Sequence, residues 1–138
     1  MILPEDVQAS VREYFQAMTN PVAVNLYVKP GEESSETMRG LWQELGELTD
    51  KLELQVHEEV PARMAPENME GAVSDLWVDG VFTGVTYLGI PAGHEFGPLI
   101  QTLVELSTHA EPQVSPTTAA WLAKLDRPLR LQVFVTPT

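Results

Sequence analysis

Chemistry in this chain has to come from carboxylates, imidazoles and hydroxyls, because its 138 residues include no cysteine. That excludes disulfides, thiolate metal sites, iron–sulfur clusters and any thiol chemistry by this chain alone. Two stretches, His57-Glu58-Glu59 and His94-Glu95, have the residue types that ligate zinc or iron. Neither has the i, i+4 helical spacing of a zincin, so the reading is no metal. A solvated acidic loop accounts for the first stretch. An acid at the positive end of a helix dipole accounts for Glu95. Glu32, Glu33 and Glu36 read the same way at the start of another helix. Ser34-Ser35 lacks the surroundings of a nucleophile elbow. Gly84, Gly89 and Gly93 do not open a helix with dinucleotide-binding spacing, so no cofactor is expected.

The elements that position these residues follow from periodicity. Gly84-Val85-Thr86-Tyr87-Leu88-Gly89-Ile90-Pro91-Ala92-Gly93-His94-Glu95-Phe96 ends a strand, turns a Gly/Pro corner and enters a helix. From there Phe96, Leu99, Ile100, Leu103, Val104 and Leu106 keep helical spacing, with His94 and Glu95 in the first turn. Upstream, Pro4 opens a helix with Val7, Val11, Tyr14, Phe15 and Met18 on one face, and Asn20-Pro21 stops it. Val22 to Val28 reads as a central strand buried on both faces. Ser34 or Ser35 can cap a second helix with the stripe Met38, Leu41, Leu45 and Leu48.

Lys51 to His57 alternates as a half-buried strand, with Leu52, Leu54 and Val56 on its inward side. Glu58 to Gly71 has no period and reads as a loop. Val73 to Val78 and Phe82 to Leu88 form a hairpin around Asp79-Gly80. After a linker, Ser115-Pro116 caps a further helix with Ala119, Trp121, Leu122 and Leu125, and Leu129 to Val135 reads as a last strand. Trp42, Trp77 and Trp121 read as packing residues of the core or of a seam between units.

The fold class is therefore α/β, with the order helix, βαβ, ββα of a thioredoxin-like fold. The closing helix and strand repeat the opening ones and read as the start of a second such unit. The domains are 1–108, a linker at 109–114, and 115–138 as an incomplete second unit.

Bulk composition sets further bounds. Length suits one domain, and 43% hydrophobic residues suit a globular protein. A net charge of −12 repels phosphate backbones and anionic bilayers, so neither nucleic acid nor membrane is an expected partner. With no apolar run long enough to span a bilayer and no signal-like N-terminus, the expectation is a cytoplasmic protein.

Four segments together resemble a known family. They are Asn20-Pro21-Val22, Gln43-Glu44-Leu45-Gly46-Glu47-Leu48-Thr49-Asp50-Lys51-Leu52, Gly89-Ile90-Pro91-Ala92-Gly93-His94-Glu95-Phe96 and Val133-Phe134-Val135-Thr136-Pro137-Thr138. In this order they resemble the glutaredoxin-like protein disulfide oxidoreductases built from two tandem thioredoxin-fold units. They are similar too to the N-terminal domain of the flavoprotein subunit of alkyl hydroperoxide reductase.

The resemblance implies a Cys-x-x-Cys at the start of the long helix, where this chain has Glu32 and Ser35. It implies a cis-proline before the third strand, where this chain has Ala72. Both are vestigial positions, and thiol–disulfide exchange needs a thiolate. The family's second dithiol would follow Thr136-Pro137-Thr138. The glutamate matching Glu95 is the acid or base expected to serve that dithiol.

On this resemblance the chain alone is not an enzyme, while its parent family is a thiol–disulfide oxidoreductase. The chain would be a redox-inactive scaffold or docking half of a protein disulfide oxidoreductase or peroxide-reductase domain, concerned with cell redox homeostasis. Its partners would be peroxiredoxin-like or disulfide-bearing proteins. The alternative is a thiol-free module holding extended peptides near Ser34, Ala72 and Pro91. On either reading the lone strand 129–135 needs a sheet edge, in its own chain or in a second copy, which predicts a homodimer.

Overall fold

Apolar alternation beginning at Val22 builds the middle of a mixed sheet. In the computed structural model, which describes residues 1–61, 64 and 71–136, β1 (Val22–Tyr27) runs parallel to β2 (Leu52–His57). It runs antiparallel to β3 (Val73–Val78), which pairs in turn with antiparallel β4 (Val81–Leu88). The sheet order is β2-β1-β3-β4. Among the described residues the α-helices are α1 (Glu5–Phe15), α2 (Glu33–Glu47), α3 (Phe96–Ser107) and α4 (Pro116–Leu122). This is the thioredoxin-like arrangement the sequence predicted. Among the described residues no helix is long and apolar enough to cross a membrane.

The core lies on one face of the sheet. Val22, Val24, Leu26 and Val28 join Leu76 and Val78 there, under Met38, Leu41, Trp42 and Leu45 of α2 and Leu99, Ile100 and Leu103 of α3. Val11 and Phe15 of α1 complete the same cluster. Each large apolar side chain buried this way contributes about 1.5–3 kcal/mol. One polar contact is sealed inside: Trp42 Nε1–H donates to Ser74 Oγ at 2.8 Å. The β3–β4 turn has Asp79 and Gly80 both at positive φ, 53° and 73°, the type I′ hairpin that Asp-Gly favours. Further along, β4 bulges between its pairings with Asp75 and Trp77, and Gly84 supplies the φ of 87° found within that stretch.

Several expectations are corrected. β1 is central, but only its Val22, Val24 and Leu26 face is buried; Ala23, Asn25 and Tyr27 are half-buried. Val56 stays 40% exposed because β2 is an edge strand. Pro4 stands at the N-cap of α1, not inside its first turn. Neither Ser34 nor Ser35 caps α2; Glu32 holds that position and both serines lie within the first turn. His94 and Glu95 fall in a 3-10 turn, Gly93–Glu95, ahead of α3. Trp121 packs no core, being 62% exposed.

Ser115 does cap α4, accepting the Thr118 N–H at 3.2 Å, with Pro116 opening the helix. The strand expected at 129–135 is absent: residues 129–136 form no ladder. A strand exists through its partner's hydrogen bonds, and no described segment supplies them. Of the loop expected at Glu58 to Gly71, residues 62, 63 and 65–70 lie outside the described residues, as do 137 and 138.

Candidate functional site

The end of β1 and the start of α2 bring Glu32 and Ser35 together, and Gly71, next to Ala72 in the chain, joins them. β1 runs out at Tyr27, and a turn through Gly31, at φ 80°, delivers Glu32 to the N-cap of α2. Glu32 Oε1 accepts the Gly71 N–H at 3.0 Å, and Oε2 accepts the Ser35 hydroxyl at 2.9 Å. Ser35 is fully buried, and its Oγ accepts the Lys29 N–H at 3.1 Å. Chiefly the Gly71 amide, and then the Ser35 hydroxyl, hold the Glu32 carboxyl below the usual carboxylate range. Desolvation opposes them, and the Lys29 charge adds a smaller push in the same direction.

Ala72, where the resemblance implies a cis-proline, is fully buried, and its carbonyl accepts the Gly89 N–H at 2.8 Å. No described peptide bond is cis. Gly71 has φ 105°, a conformation a side chain would resist. A Cβ there would stand 3.7 Å from Ser34 Oγ. The Gly71 N–H and the Ala72 C=O are thus both engaged within the chain. Pro91 is buried as well.

A second constellation forms at the corner after β4. Tyr87, His94, Glu95, Pro98 and Leu99 line a cavity of about 700 Å³ together with Phe134, Val135 and Thr136 of the C-terminal arm. Burial raises the Tyr87 phenol above its ordinary range; a hydrogen bond with Thr102 opposes this and the Glu95 charge adds to it. Glu95 therefore sits beside the end of the arm although about 40 residues separate them in the chain. His57 is elsewhere, at the end of β2. Its Nε2 lies 2.9 Å from Asn25 Oδ1 and its ring stacks on Tyr27 at 4.7 Å. The structure thus separates His57 from His94-Glu95. Among the described residues no three His, Asp or Glu side chains converge as a metal site would require.

The second face of the sheet holds what residue-by-residue reading missed. Gln55, Asn25, Asp75 and Thr86 stand side by side in one row across all four strands. Thr86 Oγ1 donates to Asp75 Oδ1 at 2.7 Å, and Asp75 is only 5% exposed. Tyr27, His57, Val73 and Leu88 form the row on one side, Ala23, Glu53, Trp77 and Phe82 the row on the other. Trp77 and Phe82 touch at 5.6 Å, and Phe82 and Leu88 are each 43% exposed. The signal available in the sequence was Asn25 and Asp75 inside otherwise apolar strands.

No protein-family model matches the chain. It is 32% identical over 108 residues, 78% of its length, to a Bacillus subtilis (strain 168) protein named NADH dehydrogenase, of which it covers 19%. It is 26% identical, over the same length and the same share, to the F subunit of alkyl hydroperoxide reductase in Xanthomonas campestris pv. phaseoli. Among solved structures, the alkylhydroperoxide reductase F subunit of Enterococcus faecalis (V583) has a TM-score of 0.74 at 21% identity, over 91% of this chain and 62% of that one. A protein disulfide oxidoreductase from Aeropyrum pernix K1 has a TM-score of 0.68 at 25% identity, over 88% of this chain and 55% of that one. The chain spans about a fifth of the curated relatives' length and less than two thirds of these solved chains. The thioredoxin-like fold and the resemblance drawn from the sequence both hold.

Proposed function

We propose that this chain, a thioredoxin-fold relative of the alkyl hydroperoxide reductase F subunit and of the protein disulfide oxidoreductases, is a redox-inactive scaffold within a larger redox assembly. The observation that carries this reading is the Glu32 carboxylate, engaged by Gly71 and Ser35 at the positions where the family places a dithiol. A carboxylate and a buried hydroxyl cannot attack a disulfide. On this reading the chain's work is to hold a neighbour. Phe82 and Leu88, exposed on the second sheet face at its β4 edge, suit a packed partner more than open water. Glu95, beside Phe134 to Thr136, would serve as acid or base for a dithiol presented there. The partner of the whole assembly would be a peroxiredoxin-like or disulfide-bearing protein, in the cytoplasm.

The test mixes the chain with a separately produced thioredoxin unit that carries a Cys-x-x-Cys. The expected result is a complex with disulfide reductase activity that falls with Glu95→Gln. A mixture that neither binds nor reduces a disulfide would overturn the scaffold reading.

A further inference from the structure

α1 and α3 pack side by side over the core and leave a groove between them. Asp6, Val7, Ser10, Tyr14, Phe96 and Ile100 line a hollow of about 440 Å³ there, within the roughly 300–1,000 Å³ of ordinary binding pockets. The charge around it is acidic. The two helices carry Glu5, Asp6, Glu13 and Glu105 against one base, Arg12. Glu105 is tied to the groove by the Gln101 amide, which donates to it at 2.8 Å.

The C-terminal arm has the opposite character. From residue 112 onward the sequence has three bases, Lys124, Arg127 and Arg130, and one acid, Asp126, whereas the preceding residues have five bases and nineteen acids. Among the described residues none of the three arm bases has an ion pair. α4 and the turn after it present Trp121, Leu122 and Leu125, all exposed, and the Leu125 N–H donates to Leu122 O at 3.1 Å, which continues the helical turn. In its own chain this helix stays off the groove, since residues 116–125 are exposed throughout. Pro98 borders both the groove and the Glu95 cavity, and the end of the same arm lies at the second of these.

We propose that α4 of a second copy seats in the α1–α3 groove, with Trp121 and Leu125 between Tyr14 and Phe96 and with Lys124 and Arg127 facing the acids of α1 and α3. Residues four apart share one helix face, so Trp121 and Leu125 form a pair of anchors of the helix-in-groove kind. An aromatic anchor gives such a contact its affinity, and opposite charge gives it orientation. Exchange of both arms makes the two contacts identical and closes a two-fold dimer.

The test reads the groove by NMR in the full chain. Ser10→Arg fills the groove and adds a like charge; Trp121→Ala removes the anchor. Both residues are exposed and outside the core, so each variant keeps the fold. The Val7, Tyr14 and Phe96 resonances should shift with concentration in the parent chain and not in Trp121→Ala. Labelled Trp121→Ala, whose groove is intact, should regain those shifts when unlabelled Ser10→Arg, whose arm is intact, is added. Lys124→Glu with Arg127→Glu in the added chain should weaken that titration by about tenfold or more. Groove resonances that ignore concentration, a mixture that regains nothing, or a titration indifferent to charge reversal would overturn the proposal. Both variants keep residues 129–135, so shifts confined to β4 would overturn it too, in favour of strand pairing.

Discussion

The Gly71 amide donates to Glu32 Oε1 at 3.0 Å, so one carboxylate ties the start of α2 to the residues leading into β3. Glu44 makes a similar tie, Oε2 accepting the Leu3 N–H at 2.8 Å while Oε1 accepts the Ile2 N–H. Both carboxylates engage backbone amides, and both titrate below their ordinary range.

These two ties set an acid limit on stability. A carboxyl whose folded pKa is depressed adds stability above its unfolded value, about 4.3 for glutamate. That stability is lost as pH falls through the folded pKa. Thermal melts of the parent chain, Glu32→Gln and Glu44→Gln should therefore differ most near neutral pH and converge in acid. A constant gap at all pH values would show that the ionised carboxylates contribute nothing.

Ser74 is predicted to matter through Trp42. Removing its hydroxyl leaves the fully buried indole N–H without an acceptor, at a cost of about 1–3 kcal/mol. Denaturant unfolding of Ser74→Ala, Trp42→Phe and the double variant would measure this. Ser74→Ala should cost less in the Trp42→Phe background, and equal costs in both backgrounds would mean the bond is not the reason.

The Tyr87 phenol should report on Glu95. The Glu95 charge adds to burial in raising the phenol, so Glu95→Gln should lower its titration midpoint, read as phenolate absorbance. The midpoint should stay above the ordinary value of about 10, because burial is the larger cause. A midpoint unmoved by Glu95→Gln would place the two groups out of electrostatic contact.

The arm is the expected site of self-association. Leu131 and Val133 are 88% and 84% exposed, and β4 forms one edge of the sheet. A homodimer through 129–135 predicts sedimentation that shifts toward twice the monomer mass with concentration. Val133→Asp should abolish that shift without changing the melting temperature, since no described arm residue belongs to the core. A monomer at every concentration would exclude this pairing.

How much is legible in the sequence depends on the range of each interaction. The stripe Met38, Leu41, Leu45 and Leu48 is a local pattern, and all four are buried as expected. The Asp-Gly turn and the Ser115 cap depend on neighbouring residues and are legible for the same reason. Ser34 and Ser35 lose the cap position to Glu32, whose carboxylate is engaged by the Gly71 N–H, 39 residues away and outside any local window. A strand at 129–135 is expected from alternation alone, but alternation supplies no partner.

Composition and periodicity by themselves determined that this is a thiol-free, acidic α/β chain with the element order of a thioredoxin-like fold. Those properties reside in residue identity and in spacing along the chain. The tertiary structure alone decided that Glu32, Ser35 and Gly71 close into one hydrogen-bonded cluster and that Gln55, Asn25, Asp75 and Thr86 align in a row. Each of these depends on strand register or on where a turn delivers a side chain. Such contacts join residues far apart in the chain, so no local window of sequence contains both partners.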